Sequence, residues 1–211
     1  MDKEVAKDIA SQLLKIKAVT LSPKEPFTWA SGIKSPIYTD NRLTIAYPKF
    51  RQTIAEDLAK LIKEKYPEVE VIGGVATAGI PHATGVSNIL DLPLNYVRPK
   101  KKDHGKKGQI EGRCQKGDKV VLIDDLISTG GSILKAVDAV RETGAEVIGT
   151  VAIFSYDLPE STTNFAAAKT QLYTLTDFPT LTQVAKEQDY IEANDTELLE
   201  QWYKDPEGWC K

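Results

Sequence analysis

The sequence has few of the residues that build disulfide frameworks or transition-metal centres. Its 211 residues include two cysteines, Cys114 and Cys210, and two histidines, His82 and His104. The cysteines lie far apart without the paired spacing of a disulfide scaffold or a zinc site, and two histidines are too few for a histidine-rich metal centre. We interpret both thiols as incidental to function and His82 as a partly exposed structural residue.

The chain also lacks a large excess of charge and any long apolar run. Its formal net charge is −3 at pH 7, which gives no general attraction to nucleic acid, and no apolar stretch has the length of a membrane span. Residues 1–4, Met-Asp-Lys-Glu, do not resemble the start of a secretory signal. We therefore expect a cytoplasmic protein that binds neither nucleic acid nor membranes.

What the sequence does contain is an alternation of buried strands and amphipathic helices. With 41% hydrophobic residues, its length suits one α/β domain, residues 1–211. Apolar runs predict strands at 69–75, 94–97, 120–123, 146–154 and 171–176. Because helical patterns separate them, we expect a mostly parallel central sheet flanked by helices, with ligands at the carboxyl ends of the strands. Closing helices are predicted at 180–186 and 195–203, the second with Asp195 as its N-cap.

The most informative stretch runs from residue 120 to 132. Its apolar start predicts a strand buried on both faces, and Asp124 and Asp125 follow, then small and hydroxylated residues that open a helix. The first turn of a helix offers unpaired N–H groups and partial positive charge to a phosphate. The two carboxylates would repel phosphate oxygens, so they should face sugar hydroxyls or a cation. A ribose 5-phosphate satisfies both halves of the stretch.

This stretch resembles the signature with which type I phosphoribosyltransferases bind phosphoribosyl diphosphate (PRPP). The matching residues are Asp124, Asp125, Leu126, Ile127, Ser128, Thr129, Gly130, Gly131 and Ser132. The resemblance implies a Rossmann-like sheet, an N-terminal helix and a small base-binding hood segment within residues 1–45, and catalytic roles for Asp124 and Asp125. It also implies Mg²⁺ as a cofactor, held mainly through PRPP with Asp125 as the candidate direct ligand.

Two further stretches are similar to the orotate branch of this family. Residues 74–79 have the glycine spacing of a nucleotide P-loop, but Ile80-Pro81 follows where a P-loop has Lys and Ser or Thr, which argues against an ATPase. Gly-Ile-Pro at 79–81 and the segment 27–42 match orotate phosphoribosyltransferases, in which the latter segment contributes to the base site. The resemblance implies that Ser128, Tyr38 and Lys34 bind orotate.

The match with the orotate branch has gaps. Many relatives carry cationic residues where Ala30, Ala78 and Tyr156 stand, and a lysine where Pro99 stands. Base contacts made by those residues cannot be made here. We therefore expect a distinct subgroup in which Ser128, Tyr38 and Lys34 carry more of the base recognition.

Residues 98–108 form a basic segment with six Lys or Arg residues and one acidic residue. Such a run is by default a solvated loop, but this one leaves a predicted strand next to the PRPP strand, where a departing diphosphate needs cations. It resembles the family's mobile catalytic loop, here 98–112. The resemblance implies that Arg98, Lys102 and His104 bind the diphosphate, and that Lys102 and His104 are catalytic. It also implies a homodimer in which the loop is shared across subunits.

The resemblance as a whole implies a Mg²⁺-dependent orotate phosphoribosyltransferase of pyrimidine (UMP) biosynthesis, with PRPP and orotate as substrates. A family member acting on a purine base would share the PRPP signature and lack the match at 27–42. A PRPP-sensing regulator without turnover would need a nucleic-acid-binding module or basic face, and beyond the basic segment the sequence offers neither.

Overall fold

The structure, a computed structural model, describes residues 2–28, 34–100, 108–192, 194–206 and 208–209. The helices are α1 (Lys3–Lys15), α2 (Pro48–Lys65), α3 (Gly79–Leu90), α4 (Gly131–Arg141), α5 (Pro159–Ala167), α6 (Phe178–Glu187) and α7 (Asp195–Lys204), with a 3₁₀ helix at Asn41–Ala46. The strands are β1 (Val19–Leu21), β2 (Phe27–Thr28), β3 (Lys34–Ser35), β4 (Ile37–Thr39), β5 (Val71–Val75), β6 (Leu94–Val97), β7 (Ile110–Gly112), β8 (Lys119–Ile127), β9 (Glu146–Ser155) and β10 (Leu172–Asp177). No helix within these ranges combines the length and apolar character needed to cross a bilayer.

The centre of the fold is a six-stranded sheet in the order β10-β9-β8-β5-β6-β7. The first five strands are parallel, and β7 pairs antiparallel with β6 at the edge. Helices connect β5 to β6, β8 to β9 and β9 to β10, and such crossovers are what parallel neighbours require. The predicted α/β class, with a mostly parallel central sheet flanked by helices, is confirmed.

Strand β8 has a hydrophobic core on each of its faces. Val121 and Ile123 belong to one core with residues of α1, α2 and α6, whereas Val120 and Leu122 belong to a second core with residues of α4. All four side chains are fully buried. Since successive side chains of a strand point to opposite faces, the continuous apolar run at 120–123 is what a strand between two helical layers needs.

In the described part of the N-terminal hood lie two small antiparallel sheets. Strand β1 pairs with β4, and β2 pairs with β3 as a short hairpin. Ile37 of β4 is fully buried in the first core, so the hood is anchored on the body of the domain. The 3₁₀ helix then leads from the hood into α2, which begins at Pro48, a favoured residue at the first helical position.

Several boundaries differ from the sequence-based expectations. Strand β8 extends to Ile127 and therefore includes the acidic pair, because pairing with β9 continues to that residue. Strand β7 lies inside the predicted loop 98–112. Asp195 is the first residue of α7 and not its N-cap, and its Oδ2 instead accepts from the backbone N–H of Glu192 at 3.0 Å.

Candidate active site

A cavity of about 390 Å³ lies at the carboxyl end of the parallel strands, between β8 and β6. It is lined by Val75, Ala76, Val97, Arg98, Pro99, Gln109, Ser128, Thr129, Gly131, Ser132, Lys135 and Ala136. Two of these residues are cationic, and no carboxylate is among them. The cavity therefore suits an anion, and it opens where a parallel α/β sheet is expected to bind ligands.

The floor of the cavity is the turn from β8 to α4. Gly130 is the N-cap of α4 with φ of 84°, a left-handed conformation that favours glycine, and a Cβ at this position would lie 2.6 Å from Cε2 of Phe165. Helix α5 stabilises the turn through a hydrogen bond, in which Asn164 Nδ2 donates to the carbonyl oxygen of Thr129 at 2.9 Å. The turn thus presents the N-terminus of α4, with its unpaired N–H groups, to the cavity.

The acidic pair precedes this turn. Asp124 is 6% exposed and Asp125 is half-buried, and the backbone N–H of Asp125 donates to Oδ1 of Asp124 at 2.9 Å. Burial raises the pKa of both carboxyl groups, and for Asp124 the neighbouring Asp125 raises the pKa further, while the charge of Arg42 lowers that of Asp125. Carboxylates in so poorly solvated a place are stabilised by a cation or by hydroxyl donors.

The turn between β5 and α3 packs closely against the acidic pair. Gly79 opens α3, and a Cβ there would collide with the carbonyl oxygen of Ile123. The preceding peptide bond between Ala76 and Thr77 is cis. Because Ala76 lines the cavity, this turn forms a wall beside the turn from β8 to α4.

The base of the basic segment forms the remaining wall. The backbone N–H of Arg98 donates to Gln109 O at 2.8 Å, and Gln109 Nε2 donates to Arg98 O at 2.8 Å. Arg98 Nη1 lies 4.0 Å from Oε1 of Glu111 on β7. The predicted diphosphate ligand Arg98 is therefore at the cavity. The other two predicted ligands, Lys102 and His104, lie outside the described residues.

Comparison with known proteins agrees with this geometry. Residues 45–177 match the phosphoribosyl transferase domain family. Orotate phosphoribosyltransferase of Enterococcus faecalis is 60% identical over 208 residues, covering 99% of each chain. The chain belongs to the orotate phosphoribosyltransferase family. Orotate phosphoribosyltransferase of Listeria monocytogenes is 57% identical over 207 residues, covering 98% of this chain and 99% of its own.

Solved structures of the family share the fold. Orotate phosphoribosyltransferase of Aeropyrum pernix superimposes with a TM-score of 0.74 at 27% identity, covering 87% of this chain and 99% of that one. UMP synthase of Leishmania donovani gives a TM-score of 0.81 at 27% identity, covering 96% of this chain and 43% of that chain. This chain thus spans under half the length of the UMP synthase and nearly the whole of the Aeropyrum protein.

Of the three residues predicted to bind orotate, one lies at the cavity and two lie in the N-terminal hood. Ser128 lines the cavity. Tyr38 is exposed, with its ring centroid 5.7 Å from that of Phe27, and Lys34 Nζ donates to Thr28 Oγ1 at 2.8 Å within the β2–β3 hairpin. Of the described residues, neither Tyr38 nor Lys34 is among those that line the cavity.

Tyr156 stands where many members of the orotate phosphoribosyltransferase family have a cationic residue. It is buried, and its hydroxyl donates to Thr39 Oγ1 at 3.0 Å. Its ring packs edge-on against Phe154 and Trp202. Tyr156 therefore fastens strand β4 of the hood to the body of the domain, next to Tyr38.

Two polar residues that line the cavity, Lys135 and Gln109, were not among the predicted site residues. Lys135 is an exposed residue of α4 that contributes the second cation, and Gln109 closes the base of the basic segment. A helical wheel gives the signal for Lys135, because it lies three residues after Ser132 and therefore on the same face of the first turns of α4. No comparable signal marks Gln109, whose position depends on the pairing of β6 with β7.

Proposed function

We propose that the protein transfers the 5-phosphoribosyl group from PRPP to orotate, giving orotidine 5′-monophosphate and diphosphate. The observation that carries this proposal is the juxtaposition of an acidic pair, buried Asp124 and half-buried Asp125, with a helix N-terminus at one end of strand β8. Relatives named orotate phosphoribosyltransferase, at up to 60% identity over nearly the whole chain, support orotate as the acceptor base and a role in pyrimidine biosynthesis.

In this reaction the turn at residues 128–132 binds the 5-phosphate. Its backbone N–H groups and the hydroxyls of Ser128, Thr129 and Ser132 are donors at a helix N-terminus. Asp124 and Asp125 accept hydrogen bonds from the ribose hydroxyls. A ligand that carries a phosphate and ribose hydroxyls at this separation is thereby held at both ends beside the cavity.

The transferred carbon, C1 of the ribose, develops positive charge as the bond to diphosphate breaks and a ring nitrogen of orotate forms the new bond on the opposite face. The chain need not supply a nucleophile; its task is positioning and charge stabilisation. The carboxylates of Asp124 and Asp125 favour positive charge on the sugar. Arg98, together with Lys102 and His104 by family resemblance, stabilises the negative charge on the departing diphosphate, with Lys102 the principal catalytic candidate.

The acidic pair also fits Mg²⁺, since two adjacent buried carboxylates are hard oxygen ligands. Within the described residues no group of three or more His, Cys, Asp or Glu side chains is placed to hold a metal. By family resemblance Asp125 is the candidate direct ligand, and the remaining ligands would be oxygens of PRPP and water. When bound, Mg²⁺ would supply charge neutralisation for the diphosphate.

The base site is assigned to Ser128, Tyr38 and Lys34. Tyr38 offers an exposed ring for stacking on a planar base, and Lys34 offers a cation for the carboxylate of orotate. Lys34 is tested by Lys34→Ala, with Thr28→Ala as the control because Thr28 accepts its hydrogen bond. An unchanged Michaelis constant for orotate in Lys34→Ala would remove Lys34 from the base site.

Two further properties are proposed on family resemblance. The chain forms a homodimer in which the segment 98–112 of one subunit reaches the site of its partner, and the enzyme works in the cytoplasm. The dimer is tested by sedimentation equilibrium. Sharing of the loop is tested by mixing an inactive Lys102→Ala chain with an inactive Asp124→Asn chain, because a shared site would restore activity in the mixed dimer.

The activity is tested by following the loss of orotate absorbance after PRPP and Mg²⁺ are added. We expect rapid loss with the natural protein and very slow loss with Lys102→Ala, whereas Lys107→Ala in the same segment should remain active. Hypoxanthine and adenine should not be consumed in parallel assays. Consumption of a purine in place of orotate would overturn the assignment of the base, and consumption of none would overturn the activity.

A further inference from the structure

Asn41 lies beneath the acidic pair although the proposed reaction gives it no role. It is the first residue of the 3₁₀ helix that connects the hood to α2, and it is 1% exposed. Asp40 caps this helix by accepting from the backbone N–H of Arg42 at 3.3 Å and from Arg42 Nε at 2.6 Å. The cap fixes the start of the 3₁₀ helix and with it the direction of the Asn41 side chain.

The Asn41 amide joins the hood to strand β8 across 84 residues of sequence. Its Nδ2 donates to the carbonyl oxygen of Asp125 at 2.7 Å. Pairing of β8 with β5 ends at Ile123, so the stretch that carries the acidic pair runs past the end of that neighbouring strand. Asn41 thus supplies a hydrogen-bond donor to the backbone of Asp125 where β5 no longer does.

Asn41 is itself held by a buried polar chain. Thr44 Oγ1 donates to the carbonyl oxygen of Asn41 at 2.6 Å and lies 3.2 Å from Nε2 of His82. Burial lowers the pKa of His82 to about 4, so the ring is neutral at pH 7. Because the single hydroxyl proton of Thr44 is used on Asn41, His82 Nε2 is the donor to Thr44. Each bond of the chain therefore has a defined direction.

We infer that Asn41 is a positioning residue for the acidic pair: by holding the backbone of Asp125, it fixes both carboxylates for the ribose of PRPP. This inference rests on the proposed function. A carbonyl left without its donor in this place costs free energy unless it shifts toward water, and such a shift of the Asp125 backbone would move the carboxylates of Asp124 and Asp125. The effect should appear in PRPP affinity, since Asn41 supports the sugar and not the base.

The chain offers a closely matched control in Asn95 of β6. Asn95 is also 1% exposed, and its Nδ2 also donates to a backbone carbonyl, that of Arg113, at 2.7 Å. Neither Asn95 nor Arg113 lines the cavity. Loss of either amide removes the same kind of buried hydrogen bond, but only Asn41 is bonded to the acidic pair.

The test compares Asn41→Leu with Asn95→Leu, substitutions that keep the number and branching of the side-chain heavy atoms and remove the amide. Calorimetric titration with PRPP and Mg²⁺ should show binding weakened about tenfold in Asn41→Leu and within a factor of about two of the natural protein in Asn95→Leu. Thermal denaturation should show similar losses of stability in the two variants. In steady-state assays, Asn41→Leu should raise the Michaelis constant for PRPP and leave that for orotate nearly unchanged.

Unchanged PRPP affinity in a folded Asn41→Leu protein would overturn the inference, and so would equal losses of affinity in both variants, because that result is what a purely structural role predicts. Should Asn41→Leu fail to fold, Asn41→Ala is compared with Asn95→Ala by the same titrations and the same criteria. If the natural protein does not bind PRPP, the proposed function itself fails, which is a different outcome from normal binding in all variants.

Discussion

Gly130 allows a quantitative test of the phosphate-binding turn. Alanine at this position meets two separate costs, a left-handed backbone with φ of 84° and a Cβ 2.6 Å from the Phe165 ring. The backbone cost for a residue with a Cβ is about 1–2 kcal/mol, and overpacking against a buried ring adds about 1–3 kcal/mol. Gly130→Ala should therefore lower the free energy of unfolding by roughly 2–5 kcal/mol.

Two other glycines separate these costs. Gly117 has φ of 87°, and no atom lies within 4 Å of the place that a Cβ would occupy, so Gly117→Ala measures the backbone cost alone, about 1–2 kcal/mol. At Gly131 the φ angle is not left-handed and the nearest atom, Thr129 Oγ1, lies at 3.8 Å. Gly131→Ala should leave stability unchanged or raise it by up to about 1 kcal/mol.

The assay is urea denaturation of the three variants without ligand, followed by circular dichroism. The expected order of destabilisation is Gly130→Ala, then Gly117→Ala, then Gly131→Ala. If Gly130→Ala costs no more than Gly117→Ala, the packing of Phe165 against the turn is wrong. If Gly131→Ala is the most destabilising of the three, the helix does not begin where we place it.

Three further predictions concern ionisable residues at the cavity, in the acidic pair and in the buried polar chain. Lys135→Met should raise the Michaelis constant for PRPP about three- to tenfold with little change in thermal stability, and an unchanged constant would remove Lys135 from the anion site. Asp124→Asn should abolish activity and yet stabilise the ligand-free protein at pH 8 by at least about 1 kcal/mol. The reason is that burial raises the pKa of the Asp124 carboxyl and makes its ionised form unfavourable in the folded state. Reduced stability of Asp124→Asn at pH 8 would contradict this. Burial lowers the pKa of His82 from 6.5 to about 4, so between these pH values the unfolded chain takes up a proton that the folded chain does not. Between pH 7 and pH 5, urea denaturation should therefore show the natural protein losing about 2 kcal/mol more stability than His82→Gln loses. Equal pH dependence of the two proteins would contradict this.

The sequence was sufficient for the parts of the fold that depend on local pattern. The run at 120–123 predicts a strand between two layers because both faces of β8 are packed against apolar side chains. It does not predict that β8 continues through Asp124 and Asp125, since that extension depends on pairing with β9. Strand β7 was missed for the same reason, because three residues within a basic segment become a strand only beside β6.

Exposure and capping were harder to predict than strand positions. His82 was expected to be partly exposed, but it is 1% exposed, because α3 turns it toward Thr44 of the 3₁₀ helix. That expectation was wrong. The link between Asn41 and Asp125 has no sequence signal at all, since it joins residues 84 positions apart and depends on how the hood docks onto the sheet.

The most direct test of the central claim is a crystal structure of the protein with PRPP and Mg²⁺. We predict that the 5-phosphate lies against the N–H groups of residues 128–132 and that the ribose hydroxyls contact Asp124 and Asp125. A structure in which PRPP binds elsewhere, or in which its phosphate occupies that turn while the ribose makes no contact with either aspartate, would contradict the account.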